Sequence, residues 1–178
     1  FKYQRLKTNK SVRNIQLLNG HLWITTNWNG TYCYRPETDE LRKLKPANKH
    51  LDDMLVSSIA MKDEQTFLMA TPYSILRIAF TGTDYIYDDL ETTEMSFDNL
   101  TYDSFINNRI NKLYVDRKNK VVWLGTFGKG LLKSNMQDNQ VKRILLDKDI
   151  YNVNGVVQDA HGYVWLTTEY HGIWKSNS

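Results

Sequence analysis

Residues 159–173, which read DAHGYVWLTTEYHGI, contain the pattern that decides the fold of this chain. Trp165 begins a run of aliphatic and β-branched residues, and Gly172 follows it seven positions later. The same run and spacing occur at Trp23-Ile24-Thr25-Thr26 with Gly30 and at Trp123-Leu124-Gly125-Thr126 with Gly130. A fourth, degraded copy begins at Phe67 and has Ser74 in place of the glycine. Repetition at a fixed internal register indicates a modular fold.

Short strands separated by turns surround each copy of the pattern. In the first unit four β-rich runs predict strands, at residues 14–17, 22–26, 31–34 and 41–44. Turn-forming residues such as Asn and Gly separate these runs. Consecutive tryptophan or phenylalanine anchors are 42 to 56 residues apart, and units of about 40–45 residues with several short strands are typical of propeller blades. We therefore predict an all-β fold, a β-propeller of about four four-stranded blades.

The anchors also predict the blade boundaries within a single propeller segment, 1–178. The predicted blades are 11–46, 54–104, 109–146 and an incomplete 152–178, while residues 1–8 match the last strand of a preceding blade. Either the two ends meet and close a four-bladed ring, or the segment is an arc of a larger propeller cut from a longer polypeptide. We favour the arc.

The repeated residues are expected to build the scaffold. Each tryptophan is predicted to pack one blade on the next, and each glycine to open the third strand after a turn at positive φ. Ser74 predicts a wider turn in the second unit. That unit also contains a long insertion, residues 81–108, in which aromatic residues are interspersed among acidic ones. We expect an extended hairpin there, since the ordered spacing of a calcium loop is missing.

Composition limits the function classes. The chain of 178 residues is 41% hydrophobic and 12% aromatic, enough for a globular core. Its net charge of +3 is too small to indicate nucleic-acid binding. Cys33 is the single cysteine, which excludes an internal disulfide framework. No apolar run reaches the roughly 18–20 residues of a membrane helix, so no membrane insertion is expected of this segment.

The motif Asp-x-x-Gly/Asn-x-x-Trp-Leu/Ile-Gly/Thr-Thr-x-x-x-Gly-Leu/Ile resembles the two-component regulator propeller repeat. Residues 159–173 match it well, 116–131 match with one extra turn residue, 21–32 match its second half, and 55–80 match by register alone. The resemblance implies a periplasmic sensor region of a hybrid two-component system, a class found largely in gut bacteria that degrade complex glycans. It also implies further propeller blades, a β-sandwich, a membrane helix, a histidine kinase and a DNA-binding regulator elsewhere in the parent chain.

The candidate ligand site consists of the loops between the second and third strands, which emerge on one face of a propeller. Each loop carries one aromatic residue, amides or charges lie around these aromatics in the loops with Trp28, Phe127 and Tyr170, and this combination suits a sugar. Lys129 and His171 offer contacts to sulfate or carboxylate groups. The candidate residues are Asn27, Trp28, Asn29, Tyr73, Phe127, Lys129, Glu169, Tyr170 and His171. Alternatively, these aromatics cover turns or contact a neighbouring domain.

No catalytic residue, metal ligand or cofactor site is predicted. His21 and His161 fall in turns on the face opposite His171, and no His or Cys spacing suggests a metal. The pairs at 52–53 and 88–89 are adjacent acids, which point to opposite sides of a strand and are poorly placed for joint acid–base work.

Three functional hypotheses follow. The first is a non-enzymatic sensor that recognises a glycan fragment and relays the signal to a kinase elsewhere in the parent chain. The second is a propeller that serves only as a scaffold or in protein–protein contacts. The third is a fragment of a glycan-active enzyme. The expected partners are an oligosaccharide, further propeller blades and a β-sandwich of the parent chain, and a second copy of the chain in a homodimer.

Overall fold

The structure, a computed structural model, describes residues 11–44, 55–71, 75–80, 90–95, 109–136, 141–146 and 150–176. Within these ranges all regular secondary structure is β-strand. The strands are β1 (Val12–Leu18), β2 (His21–Thr26), β3 (Thr31–Arg35), β4 (Glu40–Lys43), β5 (Ser58–Met61), β6 (Thr66–Ala70), β7 (Ile75–Phe80), β8 (Leu90–Met95), β9 (Ile110–Asp116), β10 (Val121–Thr126), β11 (Leu131–Asn135), β12 (Val141–Ile144), β13 (Val153–Gln158), β14 (Val164–Thr168) and β15 (Ile173–Ser176).

The strands form four antiparallel sheets in which neighbours in sequence are neighbours in space. The strand orders are β1-β2-β3-β4, β5-β6-β7-β8, β9-β10-β11-β12 and β13-β14-β15, the last sheet having three strands among the described residues. We number these sheets one to four. This up-and-down order is that of propeller blades, so the predicted all-β propeller class is confirmed.

The sheets pack face to face in chain order, with their first strands next to one another. Strand β5 contacts β1 and β2, β9 contacts β5 and β6, and β13 contacts β9 and β10. The first strands therefore follow one another along one side of the stack, as the innermost strands of a propeller do.

Three apolar layers fill the spaces between consecutive sheets. Trp23 and Phe67 meet between sheets one and two, with ring centroids 4.7 Å apart, and both are fully buried. Leu68 and Leu124 belong to the layer between sheets two and three. Trp123 belongs to the layer between sheets three and four. The predicted packing role of the repeated aromatic residue is therefore confirmed at these two tryptophans.

The register of the second sheet differs by one residue from the sequence prediction. Trp23 and Trp123 face the following sheet, whereas Phe67 faces back toward Trp23. Leu68 faces the third sheet and is the structural equivalent of the tryptophans. The difference comes from the length of the β6–β7 loop. Four residues lie between the paired residues Ala70 and Ile75, whereas five lie between the corresponding pair Thr25 and Thr31. Counting back seven positions from Ser74 therefore reaches Phe67 instead of Leu68. The wider turn that Ser74 predicts falls on residues 72–74, which lie outside the described residues.

Trp165 lies on β14 as expected but is 37% exposed. It points away from the third sheet, and its Nε1 donates a hydrogen bond of 2.8 Å to the carboxylate of Asp159. Its neighbours in the strand, Val164 and Leu166, are buried against the third sheet. The tryptophan that marks the motif most clearly is thus on the open face of the last described sheet.

Some sequence predictions fall outside the described residues. They are the strand at 1–8 and much of the insertion at 81–108, of which the structure describes β8 paired with β7. Within the described ranges, no helix is long and apolar enough to cross a membrane.

Candidate functional site

Three of the four candidate loops emerge at one edge of the sheets, which we call the loop face. Backbone hydrogen bonds join each loop to the segment that enters the first strand of a sheet. Their N···O distances are 3.0 Å from Asn27 to Ser11, 2.8 Å from Phe127 to Arg109 and 3.3 Å from Glu169 to Asn152. The loops and the connections between sheets therefore share this face, as the sequence predicts.

The same device closes each of these loops. A threonine hydroxyl at the end of the second strand donates to the carbonyl oxygen of the glycine four residues later, at 2.8–2.9 Å, in the pairs Thr26–Gly30, Thr126–Gly130 and Thr168–Gly172. The glycines have φ between +70° and +72°, a conformation that favours glycine. The repeated Trp-x-x-Thr and Gly residues are therefore scaffold, and the residues between them are free to vary.

The first loop displays a tryptophan on a strained backbone. Trp28 has φ +57° and is 61% exposed. The amide of Asn27 donates to the hydroxyl of Ser11 at 3.3 Å, and the amide of Asn29 donates to the hydroxyl of Tyr32. The two asparagines that the sequence placed in the site thus hold the loop, and Trp28 stands between them.

The second of these three loops, residues 127–129 between β10 and β11, is held against the connection that follows β12. The backbone N–H of Gly128 lies 2.8 Å from the Tyr151 carbonyl and 3.0 Å from Oδ1 of Asn152, and the Gly130 N–H lies 2.7 Å from the same Tyr151 carbonyl. Phe127 pairs with Asn152 in an isolated β-bridge. With these contacts in place, Phe127 is 47% exposed and Tyr151 is 48% exposed.

The third loop, residues 169–171 between β14 and β15, carries the most exposed aromatic residue among the described ones of the site. Tyr170 is 81% exposed. Its neighbours have structural contacts, since Nδ2 of Asn152 donates to the Glu169 carboxylate and Nε1 of Trp174 donates to the His171 carbonyl at 2.8 Å. The backbone of this loop is therefore fixed while the phenol ring projects.

Asn152 brings two of the candidate loops together. Its side chain contacts Gly128 of the second loop and Glu169 of the third. The loop with Trp28 belongs to sheet one, two sheets away from the second loop. Tyr73 of the remaining loop lies outside the described residues.

Sequence reasoning missed three residues at this face: Arg143, Tyr151 and Asn152. The Arg143 guanidinium carbon lies 5.6 Å from the Tyr151 ring centroid, within the range of a cation–π contact. The connection that contains Tyr151 and Asn152 has no repeat pattern to identify it. The available signal was topological, because connections between blades lie on the same face as the candidate loops.

Cations outnumber anions among the described residues at this end of sheets three and four. Arg109, Lys129 and Arg143 are positive, and Glu169 is negative. Burial lowers the pKa of Lys112, which pairs with Gly125 near the loop end of the third sheet. No group of three His, Cys, Asp or Glu residues within the described ranges is arranged to hold a metal ion.

Solved structures with the same architecture include a bacterial extracellular domain from B. thetaiotaomicron. It is described in one structure as part of a proposed one component system and in another as part of a proposed hybrid two component system. The TM-scores are 0.71 and 0.68, with 19% identity in both cases over 99% of this chain and 22% of the other. What these chains share is the fold. The present chain spans about a fifth of that domain.

Two further structures extend the comparison. The Cps50 (Swd1) β-propeller domain from Myceliophteria thermophila has a TM-score of 0.63 and 6% identity over 92% of this chain and 53% of the other. Virginiamycin B lyase from Staphylococcus aureus has a TM-score of 0.66 and 12% identity over 98% of this chain and 58% of the other. No protein-family model matches the sequence, and no curated protein does. The likeness is again one of fold.

Proposed function

We propose that this chain is part of the ligand-sensing propeller of a hybrid two-component system, exposed on the periplasmic or extracellular side of a bacterial membrane. Its loop face recognises a glycan fragment, and binding is relayed to a kinase elsewhere in the parent chain. The structural similarity to the extracellular domain from B. thetaiotaomicron supports this assignment. This chain corresponds to 22% of that domain. The kinase and the relay of the signal to it are therefore proposed for the parent chain.

The observation that carries the proposal is the presentation of Trp28. A bulky residue in the left-handed region costs roughly 1–3 kcal/mol, and such strain gathers at functional sites. The corresponding position of the second loop is Gly128, with φ +102°, which adopts this conformation without that cost. A strained backbone that exposes a large aromatic ring is explained by a ligand that stacks on it.

We propose a non-enzymatic role because the described residues of the loop face display aromatic rings beside basic and amide side chains, a combination that suits ligand binding. The second candidate is an enzyme that acts on the glycan; the fold similarity to virginiamycin B lyase supports only that this fold can carry an enzyme. A scaffold role predicts no saccharide binding at all. The three hypotheses predict different results in two measurements, saccharide binding and the release of reducing ends.

The test is isothermal titration calorimetry of the chain against a panel of oligosaccharides, followed by an assay for reducing ends. We expect at least one saccharide to bind without being cleaved, and Trp28→Ala to weaken that binding about tenfold or more, the loss of one stacking contact of roughly 1.5 kcal/mol. The control is His161→Ala, which changes an exposed ring in the β13–β14 turn at the opposite edge. If no saccharide in the panel gave a heat of binding, the proposal would be contradicted. Release of reducing ends would favour the enzyme.

A further inference from the structure

We infer that the junction of sheets three and four is a subsite for an anionic saccharide, one that bears a carboxylate or a sulfate group. This inference rests on the proposed function, since it specifies the ligand class of the same loop face. It concerns a different part of that face from Trp28, and it depends on Arg143, Tyr151 and Asn152, none of which the sequence pattern identifies.

The first support is the charge of the junction. Three cationic residues, Arg109, Lys129 and Arg143, lie at the loop end of the third sheet or beside it, against one carboxylate, Glu169. This charge balance counts the described residues alone, and Asp147 and Asp149 lie outside them. Glu169 is held by the Asn152 amide, which directs one of its oxygens toward the protein.

The second support is the geometry of Arg143. Its guanidinium lies over the Tyr151 ring at 5.6 Å from the centroid, and both side chains are exposed. Stacking of this kind orders the planar group while its N–H edge stays available to solvent. A planar fork of donors matches a carboxylate or a sulfate by paired hydrogen bonds. Within the described residues Arg143 has no ion pair that would occupy it.

The third support is the pairing of charge with an aromatic surface. Phe127 and Tyr151 are about half exposed and lie on adjacent segments joined through Gly128. A sugar ring stacks through its C–H face on such a surface, and its acidic substituent then projects from the ring edge. The backbone bonds from Gly128 and Gly130 to Tyr151 fix the two segments before any ligand arrives, which lowers the entropy cost of binding.

Lys112 is a further cation toward the inner side of the same junction. Burial lowers its pKa, because partly buried surroundings disfavour the charged ammonium. An anion bound nearby would favour the charged form. Lys112 therefore adds to the inference, which stands on the exposed residues.

The experiment compares three probes on the chain by calorimetry: an oligogalacturonate, a sulfated glycosaminoglycan disaccharide, and a neutral oligosaccharide of matched length. The variants are Arg143→Gln and, as a matched control, Arg117→Gln. Arg117 is exposed in the β9–β10 turn at the opposite edge of the same sheet. Tyr151→Ala provides a second variant, since the contacts that clamp this segment use the backbone carbonyl of residue 151.

We expect one of the acidic probes to bind, and to bind about tenfold more weakly to Arg143→Gln, as the loss of a charged hydrogen bond predicts. Arg117→Gln should bind like the wild type, and higher ionic strength should weaken binding. The preferred acidic probe identifies whether carboxylate or sulfate is read. Binding of the neutral probe alone, unchanged in Arg143→Gln, would overturn this inference and leave the proposed function standing. Failure of every saccharide in the wider panel would overturn both.

Discussion

Threonine has two opposite roles in this chain. Thr126 is buried, and its hydroxyl donates to the Gly130 carbonyl at 2.8 Å, so that it closes a loop. Thr25 and Thr31, a cross-strand pair in the first sheet, are equally buried, but their hydroxyl oxygens have no hydrogen-bond partner. A buried hydroxyl without a partner costs free energy, whereas a bonded one contributes to stability. The same residue type therefore affects the free energy of unfolding in different directions.

We predict that Thr126→Val lowers the free energy of unfolding by about 1–2 kcal/mol, because the hydroxyl donates to the Gly130 carbonyl and accepts from the Lys129 N–H, and each bond has a net value of about 1 kcal/mol. Thr25→Val keeps the shape of the side chain and removes only an unpaired hydroxyl, so it should leave stability unchanged or raise it by about 1 kcal/mol. Urea titration of both variants measures the difference. Equal destabilisation by the two substitutions would contradict this assignment.

The left-handed backbone of Trp28 also affects the stability of the fold. Trp28→Gly relieves a left-handed backbone and should raise the free energy of unfolding by about 0.5–1 kcal/mol, the relief being partly offset by the flexibility of glycine in the unfolded chain. Tyr170→Gly is the control, because Tyr170 is not among the described residues with positive φ; it should lower stability. Thermal unfolding of both variants provides the test. A loss of stability in Trp28→Gly would show that the ring packs on the protein.

The role of single residues could be predicted from the sequence only in part. The repeat correctly predicted positive φ at Gly30, Gly130 and Gly172, because a fixed spacing after a strand reports a fixed turn. It did not separate Asn27 and Asn29, which hold their loop, from Trp28, which the loop displays. Loop pattern alone cannot show which side chains bond to their own backbone or neighbours, since that depends on Ser11 and Tyr32 in other segments.

Strands and their order follow from the sequence more reliably than their register does. Alternation and turn residues predict each hairpin locally, and the four sheets have the predicted up-and-down order. In the second sheet a loop shorter by one residue makes Leu68 rather than Phe67 the equivalent of Trp23. A shift of one residue turns every side chain of a strand to the other face, and the degraded motif did not contain the glycine that would have fixed the register.

The carboxylate of Asp116 holds the β9–β10 turn. Burial raises the pKa of Asp116, but hydrogen bonds from the Asn119 backbone and side chain, from Gln158 and from the Lys118 backbone outweigh it, and the net pKa lies below the ordinary value. The distances are 3.0 Å from Asn119 N and 2.7 Å from Asn119 Nδ2. The charged carboxylate thus joins its own turn to Gln158 at the end of β13 in the fourth sheet.

A depressed folded-state pKa stabilises the fold above the unfolded-state pKa, near 3.9, and this contribution is lost as pH falls through the folded value. We therefore expect Asp116→Asn to unfold at lower urea than the wild type at pH 7, and the gap between the two to narrow below about pH 4. Glu37→Gln, in the exposed β3–β4 turn, is the control. Urea midpoints between neutral and acidic pH measure the effect; parallel curves for Asp116→Asn and wild type would contradict it.

At the scale of the whole molecule, the contacts between sheets differ from one pair to the next. The Leu113 N–H donates to the Ser58 hydroxyl at 3.2 Å between sheets two and three. The Asn111 amide donates to Val153 and Asn154 at 3.1 and 3.3 Å between sheets three and four. Repeats share a fold because their apolar pattern is shared, but these bonds use residues that differ between copies. The sequence repeat thus predicts that the sheets pack on one another, but it does not predict which hydrogen bonds join each pair of sheets.

The two outer faces of the stack carry exposed apolar residues. On the first sheet these are Ile15 and Leu17 of β1, and on the last sheet Val157, Trp165 and Ile173. In the interior of the stack the corresponding faces bury tryptophan, leucine and valine against a neighbouring sheet. Burial of such faces is favourable by roughly 25 cal/mol per Å² of apolar surface, and exposed apolar patches mark contact surfaces. We propose that further blades of the parent chain cover them.

When this chain is present without those blades, a second copy can take their place. We expect sedimentation to show association that increases with concentration, and Ile15→Lys combined with Ile173→Lys to weaken it about tenfold or more, because a charge on each face must lose its hydration on contact. Leu145→Lys is the control, since Leu145 is exposed on the connection after β12 rather than on a sheet face. The face-to-face stacking of similar sheets explains both behaviours, as each blade needs a neighbour on both sides to bury its apolar residues. A chain that remained monomeric at high concentration, with both faces wild type, would show that these faces do not need a partner.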